Sequence, residues 1–264
     1  MLGFIIVTVI GVVAGYFADE AWGRGWGITC GIAAMLLAWA VLGLLLRKIM
    51  MSRQMLIQSI MQDAQNKVNR QLEMFNRRPP SSMNAARQIL EKIQFEAIRK
   101  SLAELEAFKK FYVWNFMLAK QVNAMKMMLH YQLREYDKVD ALLPKSLLLD
   151  PQSLAIKLAR MYKNNESGMD KFYKRRCWRF KGDNGAFLAS VFAWIKLKQE
   201  QPEAALEALR NARKTSDNPV LVENIDRLVN GKFKHYSNSG FGDTWYVLAL
   251  EEPKMKNQRQ MRQF

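Results

Sequence analysis

Two uncharged apolar runs near the start of the chain constrain its fold more than anything after them. Residues 2–18 are 17 positions without a charged side chain, and residues 28–46 are 19 more. A helix needs about 20 apolar residues to cross a bilayer, with about 17 as the lower limit. Only residues 19–27 separate the runs. The segment 1–46 is therefore expected to be a two-helix transmembrane hairpin, with spans 2–18 and 28–46. Everything from Arg47 onward is then tethered to one side of a membrane.

Charge assigns the side. Arg47, Lys48 and Arg53 follow the second run at once, whereas the connecting loop holds Asp19, Glu20 and only Arg24. Lys and Arg accumulate on the cytoplasmic side of spans, so both ends of the hairpin and the whole body are expected in the cytoplasm. Trp22, Trp26 and Tyr16 suit an aromatic belt at the outer interface. The rival reading of the first run is a cleaved signal peptide, but it lacks the basic n-region of one. Neither run contains an ionisable side chain, which argues against a proton or ion pathway. Eight of the 14 glycines fall in the first 43 residues, and Gly11/Gly15 and Gly27/Gly31 form two GxxxG spacings. Small residues four apart let helix backbones approach closely in lipid. They pack the hairpin against itself in one reading, and against a second copy or a membrane partner in the other.

The net charge is +16, with a pI near 9.9. One arginine against two carboxylates gives the hairpin −1, which leaves +17 for the body. Such a body attracts anionic lipid headgroups, and also nucleic acid or an acidic protein. The two cysteines, Cys30 and Cys177, make no disulfide framework, consistent with a reducing compartment.

Composition makes the body helical. There is no glycine between Gly43 and Gly168 and no proline between Pro80 and Pro144, and no run alternates as strands do, so the fold class is all-α. The first body helix is expected to continue from the second span. Ile57, Ile60, Met61, Ala64, Val68, Leu72 and Phe75 form its apolar face, and Arg77-Arg78-Pro79-Pro80 ends it. Residues 47–78 carry seven basic and two acidic groups, so this face either rests on anionic headgroups or packs on the next helix. Ser81-Ser82 supply an N-cap for that next helix, whose stripe is Ile89, Leu90, Ile93, Ala97 and Ile98. A break is expected between Lys100 and Phe111.

Residues 131–151 read YQLREYDKVDALLPKSLLLDP. This stretch resembles the second half of a tetratricopeptide repeat, a helix–turn–helix unit of about 34 residues. Tyr136-Asp137-Lys138 matches its turn, Val139, Leu143 and Ser146 its small–large–small sites, and Leu149-Asp150-Pro151 its close. Pro144 departs from the pattern and should kink helix B. A weaker unit covers about residues 186–219, with Phe192 and Trp194 on helix A, Pro202 opening helix B, and Ala205, Leu209 and Ala212 in the spaced sites. Residues 153–180 would be a degenerate unit. The layout is similar to that of bacterial inner-membrane tetratricopeptide-repeat proteins with an N-terminal transmembrane hairpin, including the haem-biosynthesis-associated member; the likeness is one of architecture and carries no haem chemistry with it. The resemblance implies that helix A side chains bind a protein partner on a concave face. Here those are Gln121, Met128, Tyr131, Phe187, Trp194 and Lys198; in the other reading Met128 and Trp194 are ordinary core. The expected organisation is 1–46 hairpin, 47–116 basic juxtamembrane helices, 117–229 repeats, and 230–264 a docking segment with a basic tail.

The densest charge cluster is residues 171–181, with Lys171, Lys174, Arg175, Arg176, Arg179 and Lys181 among Phe172, Tyr173, Trp178 and Phe180. It is open to three readings: a grip on phosphates and bases, a seat on lipid headgroups, or the charged face of a repeat helix. The cations would favour the thiolate of Cys177, but no partner base is identifiable, and a buried or idle cysteine is the expected reading. His130 and His235 are the only histidines, and no Cys/His spacing suits a metal. Nor is there a phosphate loop or nucleotide-binding glycine motif. No metal, cofactor or enzymatic activity is expected. The apolar segment 244–250 is expected to dock on the last repeat. The leading expectation is a membrane-anchored cytoplasmic scaffold or adaptor that binds a protein partner in a membrane or envelope process. The alternative is a tethered module for anionic lipid or nucleic acid.

Overall fold

The computed structural model describes residues 2–114 and 116–252, with the side chains of Leu2, Trp22, Arg24, Leu46 and Phe116 left aside. Among these residues the regular elements are all helical. The basic tail read from the sequence lies outside the described residues, as does the indole of Trp22. The chain forms two compact units, Met1–Leu147 and Leu148–Phe264.

The first unit opens with α1 (Leu2–Trp22) and α2 (Arg24–Arg77). Their reversal takes place at a single residue. Gly23 sits at φ 89°, ψ 165°, a region essentially closed to residues with a Cβ. Its amide donates to the Asp19 carbonyl at 3.0 Å, and its own carbonyl accepts from Trp26 and Gly27 at 3.0 and 3.2 Å. The nine-residue loop expected at 19–27 is thus replaced by helix up to the first point where the backbone can turn. Both helices are long and apolar enough to cross a membrane. Their large apolar side chains face outward, Leu37 at 67% exposure, with Tyr16 and Trp26 also exposed. Among the described residues no core covers this surface, and a patch of that size calls for lipid or a partner.

At 54 residues, α2 is about 80 Å long. It stops at Arg78, which is extended because the following proline excludes the helical region. The Ser82 hydroxyl accepts from the Ala85 amide at 3.1 Å and opens α3 (Met83–Glu106). α3 packs back along α2, so the apolar face of α2 meets a helix. Ile57, Met61, Ala64, Val68, Gln71 and Phe75 are buried or half-buried at alternating steps of four and three, the period of a two-helix seam, and Ile60 is half-buried beside Met61. Leu72 and Ile89 are exposed, a correction to the broader faces expected. A two-helix contact covers a narrower stripe than a full core does, and Gln71 takes the seam position beside Leu72.

The return of α3 brings Glu104 to Arg53 at 2.8 Å and packs Leu105 and Phe108 around Ile57 with Leu118 and Val122. The α-helix gives way to a 3-10 turn at Ala107–Phe111, inside the interval where a break was expected. Next come α4 (Phe116–Gln132) and α5 (Tyr136–Leu142). Their turn is held by Glu135, whose carboxylate meets His130 Nδ1 at 2.7 Å and Lys138 at 3.0 Å. The hydrogen bond from Lys138, with that from His130, holds the Glu135 carboxyl below its usual range. Pro144 ends α5 instead of kinking it. Residues Leu143–Lys145 form a single 3-10 turn, and Ser146 is already extended. A proline cannot donate to the helical ladder, and a helix this short has no next turn to absorb the loss.

The second unit is built around α8 (Gly182–Lys198), buried on all sides from Gly185 to Lys196, as a central helix must be. α6 (Pro151–Lys163) packs on it and is capped by Asp150, whose carboxylate accepts from the Ser153 amide at 2.8 Å. α9 (Pro202–Arg213) follows after a short turn and packs on α8. Small residues on both helices are buried, Ala186, Ala189 and Ala193 with Ala205 and Ala208, while Ala212, the second small site expected on α9, is half-buried. α10 (Pro219–Val229) covers α9. The chain then folds back through α11 (Asp243–Tyr246), burying Trp245 and Leu248.

Candidate functional site

The basic cluster lies on an unusual turn. Gly168, in the left-handed region at φ 85°, starts α7 (Met169–Phe172), which widens into a π-turn at Tyr173–Cys177. Tyr173 and Cys177 point inward, one turn apart. Tyr173 stacks on Phe192 with ring centroids 4.1 Å apart and planes 10° apart. With those two side chains inside, Lys171, Lys174, Arg175, Arg179 and Lys181 are exposed, and Trp178 is 49% exposed beside them. None of the five cations has an ion pair among the described residues. The acid nearest in sequence, Asp170, is committed to Lys196 at 2.7 Å. That lysine is buried and also donates to Gln201 at 2.9 Å, so its charge is paired inside the unit, as a buried ammonium requires. Arg176 differs from its neighbours. It turns inward and donates to the Leu148 carbonyl at 3.0 Å. π-turns are rare and recur where a side chain must be re-aimed; this one separates two core anchors from a cationic face.

Cys177 is buried, as the sequence reading favoured, and is not an activated thiol despite the cations around it. Burial pushes its pKa up to about 12, against the opposing pull of Arg176 and Arg179. Burial raises Tyr173 and Tyr236 in the same way. These groups keep their protons in the folded state beyond the pH at which the unfolded chain releases them. Their contribution is therefore complete below the unfolded pKa of each group and is lost as pH climbs, from about 9 toward 12 for the thiol and from about 10 upward for the tyrosines, by up to about 1.4 kcal/mol per pH unit for each group. Urea unfolding of the second unit at pH 8 and pH 10.5 is expected to show this loss. Cys177→Ala should lessen the decline, and maleimide should label Cys177 only in urea.

The six positions drawn from the repeat resemblance fall in both units. In the first, Gln121 is exposed, Met128 is half-buried and Tyr131 is buried, edge-on to Tyr136 at 5.5 Å. In the second, Phe187 and Trp194 are 5% and 6% exposed and belong to the interior. Phe187 meets Phe241 edge-on at 5.5 Å. Trp194 lies between Tyr162 and Trp245, each 5.7 Å away, and Lys198 extends over its ring. One residue of this arrangement escaped the sequence reading. Glu251 accepts from both indoles, from Trp194 Nε1 at 2.7 Å and from Trp245 Nε1 at 3.1 Å. The accessible members of the six are thus Gln121, Met128 and Lys198.

In the hairpin, Gly11, Gly15, Gly27 and Gly31 face one another. A Cβ on Gly31 would stand 2.9 Å from the Gly11 carbonyl oxygen and 3.3 Å from the Gly15 Cα, and one on Gly15 would stand 3.0 Å from the Gly27 carbonyl. The two spacings therefore serve contact between α1 and α2. Among the described residues, no group of three or more His, Cys, Asp or Glu side chains is placed to hold a metal ion. Comparison of the chain with protein-family models, with curated proteins and with solved structures gives no match.

Proposed function

We propose that this protein is a non-enzymatic, membrane-anchored scaffold. The hairpin fixes it in a bacterial cytoplasmic membrane with both ends inside, and a body of tetratricopeptide-like helix pairs presents a surface to a protein partner. The observation that carries the reading is the α8–α9 pair. Two helices joined by a short turn, with small residues buried on both and further helices covering each side, have the layout of helix-pair repeats. The partner surface is acidic, because the exposed cations of residues 171–181 have no carboxylate of their own. The scaffold acts in a membrane or envelope process and needs no cofactor.

A second reading is favoured by Trp178. An exposed indole among cations is the composition of a surface that seats at the headgroup level of anionic lipid, or one that stacks on a nucleic-acid base. Crosslinked pull-down from detergent-solubilised membranes separates the readings, using the full chain and a variant with Lys171, Lys174, Arg175, Arg179 and Lys181 changed to Gln. A discrete protein recovered with the wild type and weakened by the variant supports the scaffold with an acidic partner. Only lipid or nucleic acid, lost in the variant and falling steeply with salt, supports the second reading. A hydrolytic or transfer activity abolished by one substitution would refute both.

A further inference from the structure

The inner end of the hairpin encloses a cavity of about 940 Å³, within the size range of sites that hold a small-molecule ligand, about 300–1,000 Å³. Phe4, Trp39, Leu42 and Trp114 form its apolar wall, and Arg47, Gln54 and Gln121 are its polar members. It exists because α3 returns the chain to the membrane end of α2. The Trp114 carbonyl comes so close to α1 that a Cβ on Gly3 would stand 2.9 Å from it. Phe4 belongs to the first apolar run, Trp39 and Leu42 lie in the second half of the second run, and Arg47 is the first charge beyond it. The cavity thus spans the level where hydrocarbon gives way to headgroups.

We infer that this cavity binds one anionic glycerophospholipid, of the phosphatidylglycerol type, from the leaflet on the body's side. The inference rests on the reading of α1 and α2 as spans. An acyl chain matches the tryptophan- and leucine-lined wall. The phosphate matches Arg47, which is exposed and has no ion pair among the described residues, and whose planar fork suits phosphate oxygens. The described lining has no carboxylate to receive the ammonium of a zwitterionic headgroup, so a net negative lipid is preferred. Gln54 and Gln121 are placed to hydrogen-bond glycerol hydroxyls or ester oxygens.

The test uses the full chain in nanodiscs of phosphatidylglycerol and phosphatidylcholine with a trace of phosphatidylglycerol bearing a photoreactive acyl chain. Alkaline carbonate washing of the source membranes comes first. The expected result is labelling concentrated on residues 39–54 and 114–121. Arg47→Gln should lower it about tenfold, the worth of a hydrogen bond to a charged group. Gly43→Phe should block it, because Gly43 lines the cavity and a Cβ there meets nothing within 4 Å. Uniform labelling along both helices, unchanged by either substitution, would overturn the site while leaving the spans intact. Equal labelling by a phosphatidylcholine probe would overturn the anionic preference. Release of the chain by carbonate would overturn the spanning reading, and the lipid site with it.

Discussion

Trp245→Ala is expected to destabilise the second unit by about 3–5 kcal/mol, the range for emptying a buried aromatic site. Trp245 is fully buried, and its removal does more than leave a cavity. It takes away the edge-on partner of Trp194, a contact worth about 0.5–1.5 kcal/mol beyond the area it buries, and one of the two donors to Glu251. Leu248 and Leu250, buried on the same returning segment, lose the anchor that holds them to α8. Trp245→Phe keeps one aromatic ring but loses the N–H and part of the indole's volume, so it should cost less than the alanine variant, about 1–3 kcal/mol. Urea unfolding followed by near-ultraviolet circular dichroism gives both values. Limited proteolysis should show early cleavage after residue 230 in the alanine variant alone. A loss below 1 kcal/mol for Trp245→Ala would mean that the returning segment is not part of the core.

The features legible in the sequence were those with local causes. Pro79 ends α2, and Ser82 caps α3, because proline geometry and a hydroxyl acceptor act within a few residues. The helix start at Pro202 is of the same kind. The two long apolar helices were legible because length and the absence of charge suffice. What escaped depends on partners far along the chain. Trp194 was open to two readings, groove or core, because helical period alone does not distinguish them; Trp245 and Glu251 come from more than fifty residues away to enclose it. Leu72 and Gln71 changed places on α2 because the seam follows the period of the two-helix contact and not the hydrophobicity of single residues. The density of charge at residues 171–181 was plain. That Arg176 turns inward and its neighbours outward follows from the burial of Tyr173 and Cys177, which neighbouring residues do not reveal.

Gly31→Leu is expected to have the largest effect in the first unit. The position has no room: the Gly11 carbonyl and the Gly15 Cα stand where the new side chain would begin. These are backbone atoms, which cannot yield as a side-chain end does, so α1 and α2 must separate. Overpacking of a well-packed contact costs about 1–3 kcal/mol, and a full leucine against backbone belongs at or above the upper end. Gly25→Leu is the matched control. It lies on the same helix and adds the same apolar surface, but a Cβ there meets nothing within 4 Å, so its effect should stay within about 0.5 kcal/mol. Unfolding midpoints in mixed micelles of increasing sodium dodecyl sulfate fraction compare the two. In lipid no hydrophobic force draws the helices together, and close backbone approach supplies the attraction. Gly31→Leu should therefore fall well below Gly25→Leu, at every protein concentration, because both glycine pairs meet within one chain. A penalty that appears only when the protein is concentrated would instead assign the glycine face to a second copy. Equal midpoints for the two variants would show that α1 and α2 are not held together by this contact.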